Sequence, residues 1–283
     1  MIHPHSKQTP GDVAAHYDTL DPFYREIWGE HVHHGYWRTG HETPEDAAAA
    51  LVDLVADRLD LAPGHVVCDI GCGYGATAQA LAETHDVTVI GITISAVQRA
   101  RAMRRVAARG ALTFEVRDWL SNGFPSASFD RSYAIESTEH MDDKMRCFAE
   151  AFRTLRPGGR LVVCTWLANR TPRPWHVRHL LKPICQEGRL PGLGSEEEYV
   201  DLLRRAGFAV SSVEDVSAAV ARTWSVCVRR AVRRLAADPQ YRRFVLRGND
   251  RDRIFAVTLF RMLLAYRIGA MRYAVLTATK ATD

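Results

Sequence analysis

The sequence predicts an α/β protein with a doubly wound, mostly parallel sheet of seven strands, an N-terminal helical segment and a helical insertion before the last strand. Three observations predict this class. Short apolar runs rich in β-branched residues alternate with segments of helical spacing along residues 47–216. Three glycines at alternate positions follow the first of these runs. A final apolar run, residues 271–279, comes only after about fifty residues of helical character.

The first predicted strand and the turn after it organise the rest of the chain. Residues 66–70 are apolar apart from Asp69, as expected for a buried parallel strand, and residues 76–83 have the spacing of a helix. The glycines between them allow a tight turn and close approach of a ligand, and a helix N-terminus offers unpaired N–H groups. This order predicts a ligand-binding corner, although a glycine turn without a ligand is also compatible with it.

The other elements are predicted in alternation along the chain. Further strands are predicted at 87–93, 111–116, 129–135, within 155–166, at 208–216 and at 271–279. Helices are predicted at 45–60 after Thr43-Pro44, at 96–109 after Ser95 as N-cap, and at 195–206. Because ligands bind beyond the carboxyl ends of the strands in such sheets, we expect the chemistry in residues 136–144, after the fourth strand.

The N-terminal residues are too aromatic for a solvated leader. Tyr24 and Trp28 are four positions apart, which predicts a short helix with an aromatic stripe. Histidines at 31, 33 and 34 raise the question of a metal, but no carboxylate or cysteine completes a ligand set. A lid over a ligand and plain packing are the other interpretations, and we predict no metal site.

These elements predict three parts of the chain. Residues 1–46 form a helical lid, residues 47–216 form a ligand-binding core completed by the last strand within 270–283, and residues 217–269 form a helical substrate cap. Arginines are concentrated in residues 222–253. This cluster fits either an anionic partner or a solvated helix face.

The composition is that of an ordinary soluble globular protein. The 283 residues are 47% hydrophobic and 25% charged, with a formal net charge of +4. No apolar signal region and no run of 18 apolar residues is found, so we expect a cytoplasmic protein without a membrane span. The six cysteines lack C-x-x-C spacing, so we expect them to be reduced and structural.

The glycine spacing separates this turn from two common alternatives. It is G-x-G-x-G, whereas dinucleotide sites use G-x-G-x-x-G and phosphate loops continue into G-K-[ST]. Asp69-x-Gly71-x-Gly73-x-Gly75 after the first strand resembles motif I of class I S-adenosylmethionine methyltransferases, which have a Rossmann-like sheet. In that class the glycines make room for the amino-acid end of the cofactor.

A longer set of motifs resembles the γ-tocopherol methyltransferase family over residues 17–280. The motifs are I-W-G-E-H-V-H-H-G-Y at 27–36, G-I-T-I-S at 91–95, E-S-T-E-H-M at 136–141 and T-W at 165–166. Two positions depart from the family, with Thr138 in place of Gly and Asp142 in place of Pro. The cap matches in length and helical character alone, which leaves the substrate open.

The resemblance implies S-adenosyl-L-methionine as cofactor and a set of residues to hold it. Asp69 and the three glycines would hold its amino-acid end, Thr93, Ile94 and Gln98 its ribose, and Asp118 and Trp119 its adenine. Tyr17, His34 and Gly35 would close over it, with Glu136 as a cofactor or scaffold contact. For Asp118 a cap on local backbone is the alternative.

The resemblance also implies where the chemistry takes place. Glu139 and His140 are predicted to be catalytic, because either side chain can take a proton from a phenol. If the acceptor is an alkene, Glu139 would stabilise the resulting carbocation. Tyr24, Trp28 and Trp166 are predicted to shelter the acceptor with their ring faces. Helix N-terminal charge and capping is the alternative role for Glu139 and His140.

The function expected from this resemblance is methyl transfer to a small apolar natural product. The first expectation is a carbon of a phenolic, indolic or prenylated compound in secondary metabolism. Alternatives are methylation of a terpenoid alkene, as a prenyl diphosphate or prenyl side chain, and methylation of nitrogen or oxygen. An RNA methyltransferase and a non-catalytic cofactor-binding protein are further alternatives. We expect no nucleic-acid partner, and a homo-oligomer is compatible with the sequence.

Overall fold

The structure is a computed structural model that describes residues 1–6, 8–239, 242 and 250–282. Within these ranges, the side chains of residues 22–23 and 250–256 are not described. Part of the predicted cap therefore lies outside the described residues, as do one residue of the predicted lid and the last residue of the chain.

Seven strands form one sheet in the order β3-β2-β1-β4-β5-β7-β6. The strands are β1 Val66–Ile70, β2 Thr88–Thr93, β3 Ala111–Val116, β4 Phe129–Ile135, β5 Leu155–Ala168, β6 Ala209–Asp215 and β7 Met271–Thr279. β1 to β5 pair in parallel, and β7 runs antiparallel between β5 and β6. The predicted doubly wound, mostly parallel sheet of seven strands is confirmed.

Helices cover both faces of the sheet and its carboxyl edge. The helices are α1 Pro10–Ile27, α2 Pro44–Leu59, α3 Ala76–His85, α4 Ala96–Ala102, α5 Lys144–Thr154, α6 Pro174–His176, α7 Lys182–Glu187, α8 Glu196–Arg205, α9 Ser217–Val220, α10 Arg222–Ala237 and α11 Asp250–Arg267. A π-helical turn, Val177–Leu181, joins α6 to α7. α5 and α8 pack on one face, and α2, α3, α10 and α11 pack on the other.

Two predicted helices have different lengths in the structure. The N-terminal helix is not short, because α1 spans 18 residues from a capping box formed by Thr9 and Asp12. The helix predicted at 96–109 ends at Ala102. The chain beyond it is held against α3 instead, where Gln79 donates a hydrogen bond to the carbonyl of Val106 and Arg105 donates one to Gln79.

The helices outside the sheet place residues beside its carboxyl edge. α1 contacts both α4 and α10, and α11 contacts α10 and α7. All six cysteines are buried, and none forms a disulfide. Within the described ranges, no helix combines the length and apolarity needed to cross a bilayer.

Candidate active site

Two adjoining cavities lie at the carboxyl edge of the sheet. The edge cavity, of about 110 Å³, lies beyond β1, β2 and β4, and the helical cavity, of about 230 Å³, lies between α1, α7, α10 and α11. A small cavity of about 40 Å³ adjoins the glycine turn. Four residues line both larger cavities, namely Tyr17, Val32, Glu136 and His140. A molecule in one cavity is therefore next to a molecule in the other.

The three glycines of the turn differ in how much space a side chain would have at each of them. A Cβ on Gly71 would lie 2.3 Å from Cβ of Ser137, and a Cβ on Gly75 would lie 2.7 Å from the Phe114 ring. A Cβ on Gly73 would meet no atom within 4 Å. Gly71 and Gly73 line the edge cavity, whereas Gly75 does not and permits α3 to pack against β3. The predicted ligand role of Gly75 is thus replaced by a packing role.

Asp69 is the residue before the last of β1, beside the turn, and lines the small cavity. Its side chain is buried, and this burial raises its pKa to about 7. Near pH 7 the carboxyl group can therefore carry a proton and donate a hydrogen bond as well as accept one. Its contact with the cofactor stays a prediction.

The next wall of the edge cavity contains a neutral pair where many nucleotide sites have an acid. Thr93 Oγ1 donates a 2.8 Å hydrogen bond to Oε1 of Gln98, and Ile94 lies between them in the sequence. All three residues line the edge cavity, as predicted for the ribose side. The pair leaves the amide group of Gln98 as a donor, so a hydroxyl-bearing ligand meets donors and acceptors without a fixed charge.

Asp118 and Trp119 form the far wall of the edge cavity. Asp118 Oδ1 accepts a 2.9 Å hydrogen bond from the backbone N–H of Leu120, so the alternative of a local cap is present in the structure. It also lines the cavity, so capping does not remove it from a ligand. Trp119 is buried and donates through Nε1 to the carbonyl of Cys147.

Glu136 is a buried carboxylate that accepts four hydrogen bonds. Its donors are the backbone N–H of His34 at 2.7 Å and, each at 2.9 Å, His34 Nδ1, Trp166 Nε1 and the Tyr273 hydroxyl. Burial opposes its ionisation, but the charge and hydrogen bonds of His34 lower its pKa to about 2. Glu136 is therefore an anion whose oxygens are used by the scaffold, although it lines both cavities.

His34 and Gly35 do not line any of the three cavities, which corrects the prediction that they close over the cofactor. His34 is completely buried behind Glu136. The Gly35 N–H donates to Oγ1 of Thr223, and a Cβ there would lie 2.7 Å from Cβ of Ala47. The residues of the 27–36 motif that do line the edge or small cavity are Glu30, His31, Val32 and His33.

His140 and Tyr17 meet where the two larger cavities join. The Tyr17 hydroxyl lies 2.8 Å from Nε2 of His140, and Nδ1 of His140 lies 3.4 Å from the carbonyl oxygen of Arg189. Because a carbonyl accepts only, Nδ1 carries the proton and the Tyr17 hydroxyl donates to Nε2. Burial lowers the pKa of His140 to about 4, so its ring is neutral near pH 7. His140 therefore places a neutral ring, with Nε2 as an acceptor, where the two cavities join.

Glu139 does not line any of these cavities, which corrects its predicted catalytic role. Only 1% of the residue is exposed, and its Oε1 accepts a 2.5 Å hydrogen bond from the backbone N–H of Trp166. The 3-10 turn Thr138–His140 directs neighbouring side chains in different directions. Glu139 therefore supports β5 from inside the protein, while His140 alone of the pair reaches the cavities.

The predicted substrate residues Tyr24, Trp28 and Trp166 all line the helical cavity. The sequence analysis missed Trp224 of α10, whose ring centroid lies 5.7 Å from that of Trp28 and 5.9 Å from that of Trp166. Leu259 and Met262 of α11 add aliphatic surface. The signal that could have identified Trp224 is an isolated tryptophan in an arginine-rich helix, because such a residue faces inward on an amphipathic helix.

The charges around the helical cavity are mostly acidic. Asp12, Glu136 and Glu187 line it together with one arginine, Arg189. Glu187 is paired with Arg261 and accepts a 2.6 Å hydrogen bond from Thr258. The arginines of α10 do not line the cavity but lie elsewhere, with Arg230 paired to Glu45, Arg234 paired to Glu26 and Arg222 above the Trp37 ring.

The described residues contain no group of three or more histidine, cysteine or acidic side chains arranged to hold a metal ion. His31 and His33 are close, with ring centroids 5.0 Å apart. Burial and, to a smaller extent, the neighbouring His33 together lower the pKa of His31 to about 3. Both rings line the small cavity as neutral hydrogen-bonding groups.

The fold and the edge cavity define an S-adenosylmethionine-dependent methyltransferase, as the comparisons with known proteins show. Residues 5–238 match the model of the mycolic acid cyclopropane synthetase family, and the chain belongs to that family. This membership and the tocopherol methyltransferase relatives confirm the resemblance predicted from the sequence. The cofactor is S-adenosylmethionine.

Three similar proteins illustrate the relationship. The chain is 36% identical to 27-O-demethylrifamycin SV methyltransferase of Amycolatopsis mediterranei (strain S699), over 80% of this chain and 84% of that protein. It is 29% identical to the chloroplastic tocopherol O-methyltransferase of Arabidopsis thaliana, over 95% and 81%. The structure of mycolic acid cyclopropane synthase CmaA1 complexed with SAH and CTAB aligns with a TM-score of 0.84 at 25% identity, over 97% and 99%.

Proposed function

We propose that the enzyme methylates a neutral, largely apolar natural product that carries an acidic hydroxyl group of the phenol type. The observation that carries this proposal is the neutral His140, which lies between the two cavities with its basic Nε2 held by Tyr17. A base in this position is useful for an acceptor that must lose a proton to become a nucleophile. The named activities of the relatives from Amycolatopsis and Arabidopsis, both O-methyltransferases by their names, support oxygen as the acceptor atom.

The edge cavity fits the cofactor. Gly73 leaves open space beside the turn, Asp69 and the Thr93–Gln98 pair provide acceptors and donors, and Asp118 and Trp119 close the far end. We propose that these residues, with Gly71 and Ile94, hold the cofactor, and that Tyr17 covers it. When bound, the cofactor supplies an electrophilic methyl group on a sulfonium.

The helical cavity fits an apolar acceptor. Tyr24, Trp28 and Trp166 present ring faces, and α11 presents aliphatic side chains. We propose that these aromatic residues and Trp224 bind the body of the acceptor and exclude water from the reaction. On this proposal residues 1–46 are the lid and residues 217–269 are the cap, since both ranges contribute residues to the wall of the helical cavity.

The charge around the helical cavity argues against a prenyl diphosphate. A diphosphate requires several cations or a metal, whereas the described part of the cavity wall contains three acidic residues and one arginine. The arginines of α10 lie outside it, and two of them, Arg230 and Arg234, are paired with Glu45 and Glu26. A neutral acceptor is therefore favoured over the diphosphate alternative.

The proposed proton transfer uses Tyr17 and His140 in sequence. The acceptor hydroxyl gives its proton to the oxygen of Tyr17 while the Tyr17 proton moves to Nε2 of His140, because the tyrosine occupies Nε2 in the structure. The acceptor oxygen then forms the bond to the methyl carbon, and the carbon–sulfur bond breaks to leave S-adenosylhomocysteine. His140 returns its proton to water through the same hydroxyl.

Methylation at a ring carbon of the same kind of phenol is the second candidate. A deprotonated phenol is also nucleophilic at carbon, and the tryptophan rings that line the helical cavity can pack against an aromatic acceptor. Which atom reacts depends on how the acceptor is oriented.

The test is transfer of labelled methyl from S-adenosylmethionine to a panel of apolar phenols, matched phenol methyl ethers and geranyl diphosphate. We expect label on phenols alone and a loss of about 10²–10⁴-fold in kcat for His140→Gln. The matched control is Glu139→Gln, which changes the adjacent side chain and should retain most activity. Label on geranyl diphosphate, or equal losses in the two variants, would contradict the proposal.

A further inference from the structure

Asp21 is a buried acid on α1 that the proposed reaction does not use. Only 5% of the residue is exposed, and it does not line any of the three cavities. A buried carboxylate is costly unless it is fully paired, so its partners indicate why it is there.

The partners of Asp21 come from two walls of the cofactor site. Arg101 of α4 donates through Nε at 2.9 Å and through Nη2 at 2.7 Å. The Tyr74 hydroxyl donates at 2.8 Å, and Arg25 of the same helix donates at 3.2 Å. Burial opposes ionisation of Asp21, but Arg101 and Tyr74 lower its pKa below the usual range. We call Asp21, Arg101 and Tyr74 the Asp21 cluster.

Each partner is joined to the cofactor walls. Tyr74 lies between the last two glycines of the turn and lines the small cavity. Arg101 lies one turn beyond Gln98, whose side chain lines the edge cavity. A second contact also joins α4 to α1, since the Ser95 hydroxyl at the start of α4 donates a hydrogen bond to Asp18 of α1.

The helix that carries Asp21 also forms a wall of the helical cavity. Tyr17 and Tyr24 lie one turn before and one turn after Asp21 and line that cavity, and Tyr17 also bonds to His140. Asp21 therefore lies between residues that face the acceptor side and partners that face the cofactor side.

We propose that Asp21 is a positioning residue that couples occupation of the cofactor site to the placement of α1, and through α1 to Tyr17 and the helical cavity. The cofactor side of this proposal rests on the shared cofactor of the family, and the acceptor side rests on the proposed function. A bidentate pair with Arg101 suits this role because it fixes both distance and angle between α1 and α4.

The chain offers a matched control on the same helix. Glu26 of α1 pairs with Arg234 of α10 at 3.7 Å, and both side chains are largely exposed. Glu26→Gln and Asp21→Asn make the same chemical change, from carboxylate to amide. The control contact leads to the cap rather than to the cofactor walls.

The first experiment needs no acceptor. Hydrogen–deuterium exchange of peptides from residues 10–27 is measured with and without S-adenosylhomocysteine, whose affinity is measured by calorimetry. We expect the ligand to protect α1 in the wild type and in Glu26→Gln but not in Asp21→Asn, whose affinity falls about tenfold. Equal protection in all three proteins would overturn the proposal, whatever the acceptor is.

A second variant separates coupling from loss of stability. Tyr74→Phe removes one donor from Asp21 at a residue that does not line the helical cavity. At saturating cofactor we expect a higher acceptor KM in Tyr74→Phe, and in the combined variant an increase no larger than that of Asp21→Asn alone. Lower melting temperatures with unchanged affinity, protection and KM would show a merely structural role and overturn the proposal.

Discussion

The hydroxyl oxygen of Tyr273 lies 2.9 Å from Oε1 of Glu136, although 137 positions separate the two residues. Tyr273 is on β7, which enters the sheet antiparallel after the cap, and Glu136 directly follows β4. Their hydrogen bond connects the last strand of the chain to the floor of both larger cavities. It also explains why the Glu136 carboxylate serves mainly to connect parts of the protein rather than to contact a ligand.

The network around Glu136 predicts an acid-dependent loss of stability. Its folded pKa of about 2 lies below the ordinary 4.5, so its stabilisation is present above pH 4.5 and is lost as the pH falls toward 2. Glu136→Gln should lower the free energy of unfolding at pH 7 by about 3 kcal/mol. Urea unfolding between pH 7 and pH 2 measures both effects. Tyr273→Phe, which removes one donor, should cost about 1 kcal/mol, and a larger loss there than in Glu136→Gln would contradict the assignment.

The environment of His140 predicts that activity falls on the acid side at an unusually low pH. Its pKa falls from 6.5 to about 4, so the ring is a neutral base throughout the range from pH 5 to 8. We expect kcat/KM on a phenolic acceptor to stay level as the pH falls through 6.5 and to decrease near pH 4. An acid limb centred near 6.5 would show that His140 is solvated or is not the base. Tyr17→Phe should lower kcat if the tyrosine transfers the proton.

The glycine turn predicts different outcomes for alanine at neighbouring glycines. In Gly71→Ala the new Cβ meets Ser137, whereas Gly73→Ala meets open space and bears mainly the strain of a positive φ of 51°. We expect Gly73→Ala to lose about 1 kcal/mol of stability, and affinity for S-adenosylhomocysteine because its methyl group fills the open space proposed for the cofactor, whereas Gly71→Ala should lose more stability. Gly64→Ala, with φ of 82° and no neighbour within 4 Å, is the control for strain alone. Thermal melting and calorimetry on the three variants decide the matter.

The tryptophans of the helical cavity predict a separation of acceptor and cofactor binding. Trp28→Ala removes a ring face from that cavity without touching the edge cavity. We expect acceptor KM to rise about tenfold, corresponding to 1–2 kcal/mol of lost contact, with unchanged affinity for S-adenosylhomocysteine. Trp175→Ala is the matched control, since that ring is 45% exposed and does not line the cavity. Equal kinetic changes in both variants would refute the assignment.

Local chemistry was enough to predict the sheet and the cofactor corner. The bounds of β1, β3, β4 and β7 agree with the prediction, because their apolar and β-branched residues distinguish them from the turn residues on either side. Asp69, Gly71 and Thr93 lie at or next to the carboxyl ends of β1 and β2, and their shared place at one edge of the sheet was predictable because parallel strands end at one edge. Helix ends were less well predicted, as α4 shows, since contacts of Arg105 and Val106 with α3 decide where the chain leaves the helix.

The sequence by itself determined the fold class and the cofactor, because these depend on residue type and spacing. Only the tertiary structure decided which of two neighbouring residues reaches a cavity. It brings His140 to the cavities and turns Glu139 inward. It places His34 behind Glu136, whereas Val32 and His33 line the cavities. It also brought Asp21 to Arg101 and Tyr74, and Trp224 to Trp28. The physical reason is that side-chain direction in turns, and the pairing of a buried charge, are set by contacts between segments far apart in the chain.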